Sequence, residues 1–386
     1  MKRRISDNKV RPLLPARLQL LGVLLCLAIG VTGPADAELF AASLSPARLR
    51  TEYREDPIGI DTAAPRLSWQ LDSAGRGAIQ TAYQIQVSLS REAFQGSDCC
   101  VWDSGKVVSD RSIQVAYSGP ALQSRTRYYW RIRAWDGDGE ASRWSEPAYW
   151  EMGLLEPADW QAEWITPAWS EDTSRPQPAP MLRRAFSVQG PVVRARAYAT
   201  SLGLYTLELN GHHVGDQVLT PGWTSYGKRL QYQIYDITGL LEPGDNVVGA
   251  TLGDGWYRGY LGYLGQRNLY GQHLALRLQL EITYGDGRVD IVGSDGKWKA
   301  STGPILMSDI YMGETYDARL HKQGWSSAGY DDRGWSAVRL LEPPTANLVA
   351  PAGPAIRRIE EIAPVEILQT PAGETVVDFG QNLVGW

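Results

Sequence analysis

The sequence contains little cysteine, histidine or phenylalanine, and it has no surplus of basic residues. Three cysteines in 386 residues, two of them adjacent, cannot form a framework of disulfides. The four histidines show none of the spacings that bind metal ions, so no metal site is predicted. A net charge of −5 leaves no basic excess to neutralise phosphates, and we therefore expect no nucleic-acid partner.

The first 37 residues have the features of a secretory signal peptide. Six Lys and Arg residues lie within residues 1–17, an apolar run covers residues 18–31, and residues 35–37 form an A-x-A site. The apolar run is too short for a comfortable membrane span, so we expect cleavage after Ala37; an uncleaved N-terminal anchor is the alternative. Cleavage removes six basic and two acidic residues, which takes the net charge from −5 to −9. The protein is then expected to be periplasmic or extracellular, with no membrane span.

Cleavage would also remove Cys26 and leave only Cys99 and Cys100 in the mature chain. Adjacent cysteines close at best a strained ring, so the sequence gives little support to a thiol or redox function.

Short alternating patterns of apolar residues recur along the rest of the chain. Tyr83, Ile85, Val87 and Leu89 share one face, and the same alternation occurs in residues 128–134 and 274–282. No segment has a sustained apolar period of 3.6 residues. The 40 glycines and 23 prolines supply frequent turns. The sequence therefore predicts an all-β chain built of sandwiches.

Changes in composition divide the mature chain into three blocks. The first covers residues 45–153, the second begins near residue 181 and ends near 342, and a third begins near 355. Residues 166–180 are Pro-rich and polar, which indicates a linker or a long surface loop, and residues 343–354 form a second break. Because the last apolar segment has no closing strand, we expect the chain to be a fragment of a longer protein.

Residues 252–259 (LGDGWYRG) form the densest unusual run. The glycines let the backbone approach a ligand, and Asp254, Tyr257 and Arg258 offer hydrogen bonds while Trp256 offers a stacking face. We predict these four as substrate-binding residues. A tight turn anchored by Trp256 is the alternative.

The aromatic composition also suggests a carbohydrate ligand, because flat rings stack on sugar C–H faces. The chain has 15 Trp and 19 Tyr but only 4 Phe. Trp and Tyr combine an apolar face with a polar group, and for any single ring a place in a β-sandwich core is the favoured interpretation.

Catalytic carboxylates cannot be recognised by residue type among 43 acidic residues. Glycoside hydrolysis needs two carboxylates across the sugar, and Glu314 with Asp317, beside Arg319, is the most suggestive pair. A structural carboxylate–arginine pair that fixes a turn is favoured there. Residues 136–147 begin like a calcium loop, but Ala141 and Pro147 replace the required Gly and Glu, so a hairpin turn is favoured.

Several runs occur in the order found in bacterial α-L-rhamnosidases of the glycoside hydrolase family 78 type. They are LRTEY (49–53), PIGID (57–61), PRLSW (65–69), WDSGK (102–106), RTRYYWR (125–131), TPGWT (220–224), LGDGWYRG (252–259), GETYDAR (313–319) and VDFGQN (377–382). Nearly all of the chain after the signal therefore resembles the N-terminal portion of that family.

The resemblance implies a domain order. Residues 45–153 would form a fibronectin-III-like β-sandwich, residues 155–345 a jelly-roll β-sandwich similar to carbohydrate-binding modules, and residues 355–386 the start of a third β domain. Some related jelly-roll modules bind rhamnose with the help of calcium. Those calcium ligands are not mapped onto this sequence, so no cofactor is predicted and calcium stays an open alternative.

The resemblance also implies an activity, the inverting hydrolysis of terminal α-L-rhamnose from glycosides or polysaccharides. In the family, acidic residues of an (α/α)6 barrel do this chemistry. No position here matches that catalytic motif, so the catalytic residues are expected C-terminal to Trp386 and this chain alone is expected to be inactive. A non-catalytic carbohydrate-binding or adhesive β-sandwich protein is the alternative, and a fibronectin-like interaction scaffold would explain only the first block.

Overall fold

The computed structural model describes residues 44–96 and 99–384, which are almost entirely β-structure. Within these ranges the strands are β1 (Leu44–Thr51), β2 (Ile58–Ile60), β3 (Arg66–Ser73), β4 (Ala82–Ser88), β5 (Trp102–Asp103), β6 (Val107–Val108), β7 (Val115–Ala116), β8 (Arg127–Trp135), β9 (Ala148–Met152), β10 (Ile165–Pro167), β11 (Pro180–Val188), β12 (Val192–Leu202), β13 (Leu204–Leu209), β14 (His212–His213), β15 (Arg229–Gln231), β16 (Gln233–Asp236), β17 (Gly244–Gly253), β18 (Ala275–Tyr284), β19 (Val289–Gly293), β20 (Lys299–Thr302), β21 (Ile305–Asp309), β22 (Gly313–Tyr316), β23 (Ser336–Leu340), β24 (Asn347–Val349), β25 (Glu366–Gln369) and β26 (Thr375–Asp378).

Helical structure in the described ranges is limited to single turns. The α-helical turn is α1 (Gly255–Arg258), and 3-10 turns lie at Glu92–Gln95, Pro157–Asp159, Thr238–Leu240, Tyr263–Gly265 and Ala318–Leu320. None of the helices in these ranges has the length and apolarity that crossing a membrane would require. The predicted export signal, including Cys26, lies outside the described residues.

Two sheets form the first sandwich. One has the strand order β1-β3-β7, and the other has the order β2-β9-β8-β4-β5 with β6 added beside β4. The alternation read from the sequence lies on the buried face: Ile85 and Val87 of β4 and Trp130 and Ile132 of β8 are each 0% exposed. Leu89 is exposed because β4 ends at Ser88.

The second sandwich is one long path of hydrogen-bonded strands in the order β14-β13-β17-β11-β20-β23-β10-β18-β12-β16, with β19 beside β18. Strands β12 and β18 pair over most of their length. Leu276, Leu278, Leu280 and Ile282 of β18 are buried in the core, as their period of two residues predicts. The all-β sandwich prediction is therefore confirmed, whereas the exact domain boundaries stay predictions.

Local turn chemistry follows the sequence. The hairpin from β18 to β19 closes where the Tyr284 N–H donates to the Arg288 carbonyl at 2.9 Å. The residues that resemble a calcium loop form a turn in which Asp136 Oδ1 accepts from the N–H groups of Asp138 and Glu140 at 3.1 and 3.0 Å. The hairpin interpretation of that segment is confirmed.

The structure joins Cys99 and Cys100 by a disulfide, with their Cα atoms 3.7 Å apart.

The two Pro-rich segments differ in structure. Residues 168–179 form a loop between β10 and β11. The segment 343–354 is not wholly irregular, because β24 within it pairs in parallel with β15. Beyond it, β25 and β26 form an antiparallel hairpin.

The two sandwiches share an apolar contact surface. Leu154, Trp160, Tyr198, Tyr232 and Ile234 form one buried cluster between them. Tyr232 anchors the connection, since its hydroxyl accepts a hydrogen bond from the Leu154 N–H at 3.0 Å.

Candidate functional site

The predicted glycine-rich run forms a sharp turn at the end of β17. The strand ends at Gly253, and the single helical turn α1 begins at Gly255. Gly255 has a φ of +52°, and a Cβ there would meet Leu204 Cγ at 2.5 Å. Only glycine adopts this conformation without strain. This glycine is therefore required by the chain's own packing.

Asp254 and Arg258 form a buried ionic network under the turn. Arg258 Nε donates to Asp254 Oδ1 at 2.7 Å, and Arg267 Nη2 donates to Oδ2 at 2.9 Å. Arg258 Nη1 also donates to Glu171 Oε2 at 2.6 Å, which ties the 168–179 loop to the turn. Asp254 and Arg258 are 3% and 0% exposed. These charged groups face one another and position the turn.

Burial raises the pKa of Asp254 above its ordinary value, although the charges of Arg258 and Arg267 oppose the shift. The nearby carboxylate of Asp309 adds to the rise. Asp309 itself accepts hydrogen bonds from the backbone N–H groups of Tyr260, Tyr311 and Met312. The acidic groups around the turn are thus occupied by internal partners.

Trp256, in the same turn, belongs to a cluster of aromatic rings. Its ring stacks on Trp223, with centroids 5.8 Å apart and planes 5° from parallel. Trp223 Nε1 donates to the hydroxyl of Tyr270 at 3.2 Å. Tyr226 contacts both Tyr257 and Tyr270, at centroid distances of 5.2 and 4.9 Å. We call Trp223, Tyr226, Trp256, Tyr257 and Tyr270 the aromatic cluster.

The outer part of the aromatic cluster is open to solvent. Trp223 is 52% exposed and Tyr270 is 39% exposed, whereas Tyr226 and Tyr257 are buried beneath them. One face of Trp223 stacks on Trp256, and about half of the residue is exposed, so part of the ring is open to a ligand. Burial raises the pKa of Tyr226 and of Tyr257. A flat exposed ring beside hydroxyl and N–H groups suits the stacking and hydrogen bonding of a sugar.

The four predicted site residues are neighbours but differ in accessibility. Asp254, Tyr257 and Arg258 are buried, and Trp256 is partly exposed. Substrate binding by these residues stays a prediction.

Sequence reasoning missed two exposed members of the aromatic cluster, Trp223 and Tyr270. A signal was present for each, since Trp223 follows a Pro-Gly pair and Tyr270 precedes Gly271. Both sit at turns that can hold a ring at the surface.

The suggested carboxylate pair is structural, as favoured from the sequence. Arg319 Nε and Nη2 donate to the two carboxylate oxygens of Asp317 at 2.8 and 2.6 Å. Asp317 also caps the 3-10 turn Ala318–Leu320 by accepting from the Arg319 N–H. Glu314 is exposed on β22. Across residues 44–96 and 99–384, no group of three or more His, Cys, Asp or Glu side chains is placed to hold a metal ion.

Two family models match the chain. The Rha78A-like N-terminal immunoglobulin domain matches residues 46–156, and the Alpha-L-rhamnosidase N-terminal domain matches residues 190–360. The chain carries the N-terminal domains of the α-L-rhamnosidase family. The resemblance seen in the sequence is therefore confirmed.

Relatives in the α-L-rhamnosidase family match along most of this chain. It is 35% identical to an α-L-rhamnosidase from Formosa agariphila, over 95% of this chain and 41% of the relative. The crystal structure of Streptomyces avermitilis α-L-rhamnosidase complexed with L-rhamnose superposes with a TM-score of 0.82 at 30% identity, over 88% of this chain and 49% of that one. The structure of α-L-rhamnosidase from Aspergillus terreus superposes with a TM-score of 0.81 at 38% identity, over 89% of this chain and 39% of that one. The chain spans less than half the length of each of these relatives.

Proposed function

We propose that this chain is the N-terminal accessory part of an exported α-L-rhamnosidase, which hydrolyses terminal α-L-rhamnose from glycosides or polysaccharides with inversion. The observation that carries the proposal is the pair of N-terminal family models at residues 46–156 and 190–360. The signal-like residues 1–37 support a periplasmic or extracellular location.

In this proposal the described residues do no bond cleavage. An inverting glycosidase needs an acid and a base on opposite sides of the sugar, with room for a water between the base and the sugar. The carboxylate of Asp317 pairs with Arg319, and that of Asp254 is buried between two arginines. The catalytic carboxylates are proposed to lie C-terminal to Trp386, in an (α/α)6 barrel.

To test this proposal, the reading frame is sequenced past Trp386 and the complete protein that it encodes is expressed. That product is incubated with 4-nitrophenyl α-L-rhamnopyranoside, and the anomer of rhamnose released first is identified by proton NMR. We expect hydrolysis with the β anomer appearing first. Absence of hydrolysis would contradict the rhamnosidase proposal, and the α anomer first would contradict inversion alone.

The aromatic cluster supports a second role, carbohydrate binding without catalysis. Trp223 offers an exposed ring face, held in place by Trp256 and by the hydrogen bond to Tyr270. We propose that Trp223 and Trp256 contact the sugar, while Asp254, Tyr257 and Arg258 hold the turn that positions them. An adhesive or carbohydrate-binding protein would use the same surface.

Calorimetric titration of the chain with L-rhamnose tests this second role. Saturable binding is expected, and methyl α-L-rhamnoside should compete for the same site. Failure of both sugars to bind would count against carbohydrate binding and leave the accessory role to be tested by hydrolysis.

A further inference from the structure

A cavity of about 540 Å³ lies where the first sandwich meets the second, away from the aromatic cluster. Three parts of the chain contribute to its walls: residues 50 and 53–59 of the first sandwich, residues 215–217 and 232–236 of the second, and residues 351, 353–355 and 357. None of the aromatic-cluster residues lines it. Its volume falls within the range of about 300–1,000 Å³ that is typical of small-molecule sites.

The wall from the first sandwich is conformationally strained. Tyr53 and Asp56 of the wall and the adjoining Glu52 have φ values of +65°, +43° and +48°, a left-handed region that these residue types rarely adopt. Such a conformation is strained and persists only where the surroundings hold it, which is common around ligand sites. The strained turn presents Tyr53, 49% exposed, at the cavity.

Arg54 lies in the middle of this strained turn, lines the cavity and makes no ion pair in the described structure. Its Nε is buried without a hydrogen-bond partner in the described structure. The nearby carboxylates are bonded elsewhere: Glu52 pairs with Arg66, and Asp61 accepts from the Ala350 N–H at 2.5 Å. Burial lowers the pKa of Arg54, with the charges of Glu52 and Asp61 opposing the shift. A partly buried guanidinium that lines the cavity and makes no ion pair favours an occupant that carries a carboxylate.

The other charged groups on the cavity wall are already paired. The pairs are Arg50 with Glu55 at 3.2 Å, Arg357 with Asp216 at 2.5 Å, and Arg196 with Asp236 at 2.9 Å. The carboxylate of Asp56 accepts from the Tyr149 N–H at 2.8 Å. Once these are counted, Arg54 is the charged group on the described wall that lacks a bonded partner. An occupant carrying one carboxylate would complete the pairing.

We propose that this cavity binds an acidic sugar unit, a uronic acid, whose carboxylate is held by Arg54 and whose ring lies against Tyr53. Planar polar side chains and a tyrosine ring suit the hydroxyls and the C–H face of the sugar. The site is separate from the aromatic cluster and does not depend on the proposed activity.

The test is calorimetric titration of the full chain with methyl β-D-glucuronide and, as the matched neutral probe, methyl β-D-glucoside. We expect the Kd for the glucuronide to be at least tenfold lower. Arg54→Gln should abolish this preference, Arg54→Lys should keep part of it, and Trp223→Ala should leave it unchanged.

A second variant protects the test against misfolding of Arg54→Gln, which circular dichroism would detect. Ala355→Trp adds bulk at a part of the wall that comes from a different segment of the chain, and it should weaken glucuronide binding at least tenfold. The proposal is overturned if the two glycosides bind equally or if the glucuronide does not bind. It is also overturned if a folded Arg54→Gln keeps the preference, or if Ala355→Trp leaves binding intact.

Discussion

Glu151 of β9 and Arg196 of β12 form a two-point ion pair across the junction of the two sandwiches. Arg196 Nε donates to Oε1 at 2.7 Å, and Nη2 donates to Oε2 at 3.0 Å. Their side chains are only 2% and 4% exposed. Arg127 and Arg194 also contact the same carboxylate. Charge-assisted bonds of this geometry are directional, so the pair orients the first sandwich against the second.

Replacing Glu151 by glutamine should lower the free energy of unfolding by about 3–5 kcal/mol, because it leaves the buried guanidinium of Arg196 with only the exposed carboxylate of Asp236 as a charge partner. Urea denaturation measures the change. The control is Glu146→Gln, an exposed glutamate of the same sandwich, which should change stability by less than about 0.5 kcal/mol. Equal effects of the two substitutions would show that the junction does not depend on this pair.

The same carboxylate gives the fold an acid sensitivity. Burial alone would raise the pKa of Glu151, but the hydrogen bonds and charge of Arg196, with Arg194 and Arg127, hold it below the ordinary 4.5. A carboxylate whose pKa is lowered by folding stabilises the native state at pH values above its pKa in the unfolded chain. This stabilisation is lost as the pH falls through its pKa in the native state. The urea concentration at the midpoint of unfolding should therefore decrease as the pH is lowered below 4.5. The decrease should be smaller in Glu151→Gln, and an equal decrease would assign the sensitivity to other groups.

The turn at the aromatic cluster should tolerate no side chain at Gly255. Alanine there adopts a left-handed φ and meets Leu204, so Gly255→Ala should lower the free energy of unfolding by at least about 2 kcal/mol. Gly227→Ala is the matched control, because no atom lies within 4 Å of the added Cβ. Thermal and urea denaturation should show a loss only for the first variant. A stable Gly255→Ala would mean that the turn has room to rearrange.

Removing the exposed ring of the aromatic cluster should weaken sugar binding without unfolding the chain. Stacking of a nucleobase on an aromatic side chain is worth about 1–3 kcal/mol, and a comparable sugar contact predicts a rise of about 5- to 160-fold in the Kd for L-rhamnose in Trp223→Ala. Tyr263→Ala is the control, since Tyr263 is 87% exposed and makes no ring contact with the aromatic cluster. Similar losses in both variants, measured by calorimetry, would place the sugar elsewhere.

The strands that were predicted from sequence are those with one buried face. Strands β4, β8 and β18 alternate because every second side chain enters a core, and that period is visible in the sequence alone. Strand β24 was missed because it is short, lies in a Pro-rich segment and is held by a distant partner, β15. A pairing between strands so far apart in the chain produces no periodic pattern of apolar residues in the local sequence.

The candidate site was only partly predictable for the same reason. Asp254 and Arg258 are four residues apart, so their contact on one helical turn follows from spacing. Their other partners, Glu171 and Arg267, come from loops whose approach depends on the whole sandwich. The stacking of Trp223 on Trp256 joins residues 33 positions apart and likewise appears only in the folded chain.

The central claim is that these sandwiches have an accessory role and bind carbohydrate, while residues outside them cleave the glycosidic bond. The direct measurement is nitrophenol release from 4-nitrophenyl α-L-rhamnopyranoside by the purified 386-residue chain, beside the product of the complete reading frame. The account predicts release by the complete product and none above the uncatalysed rate by this chain. Sustained turnover by this chain alone would contradict it.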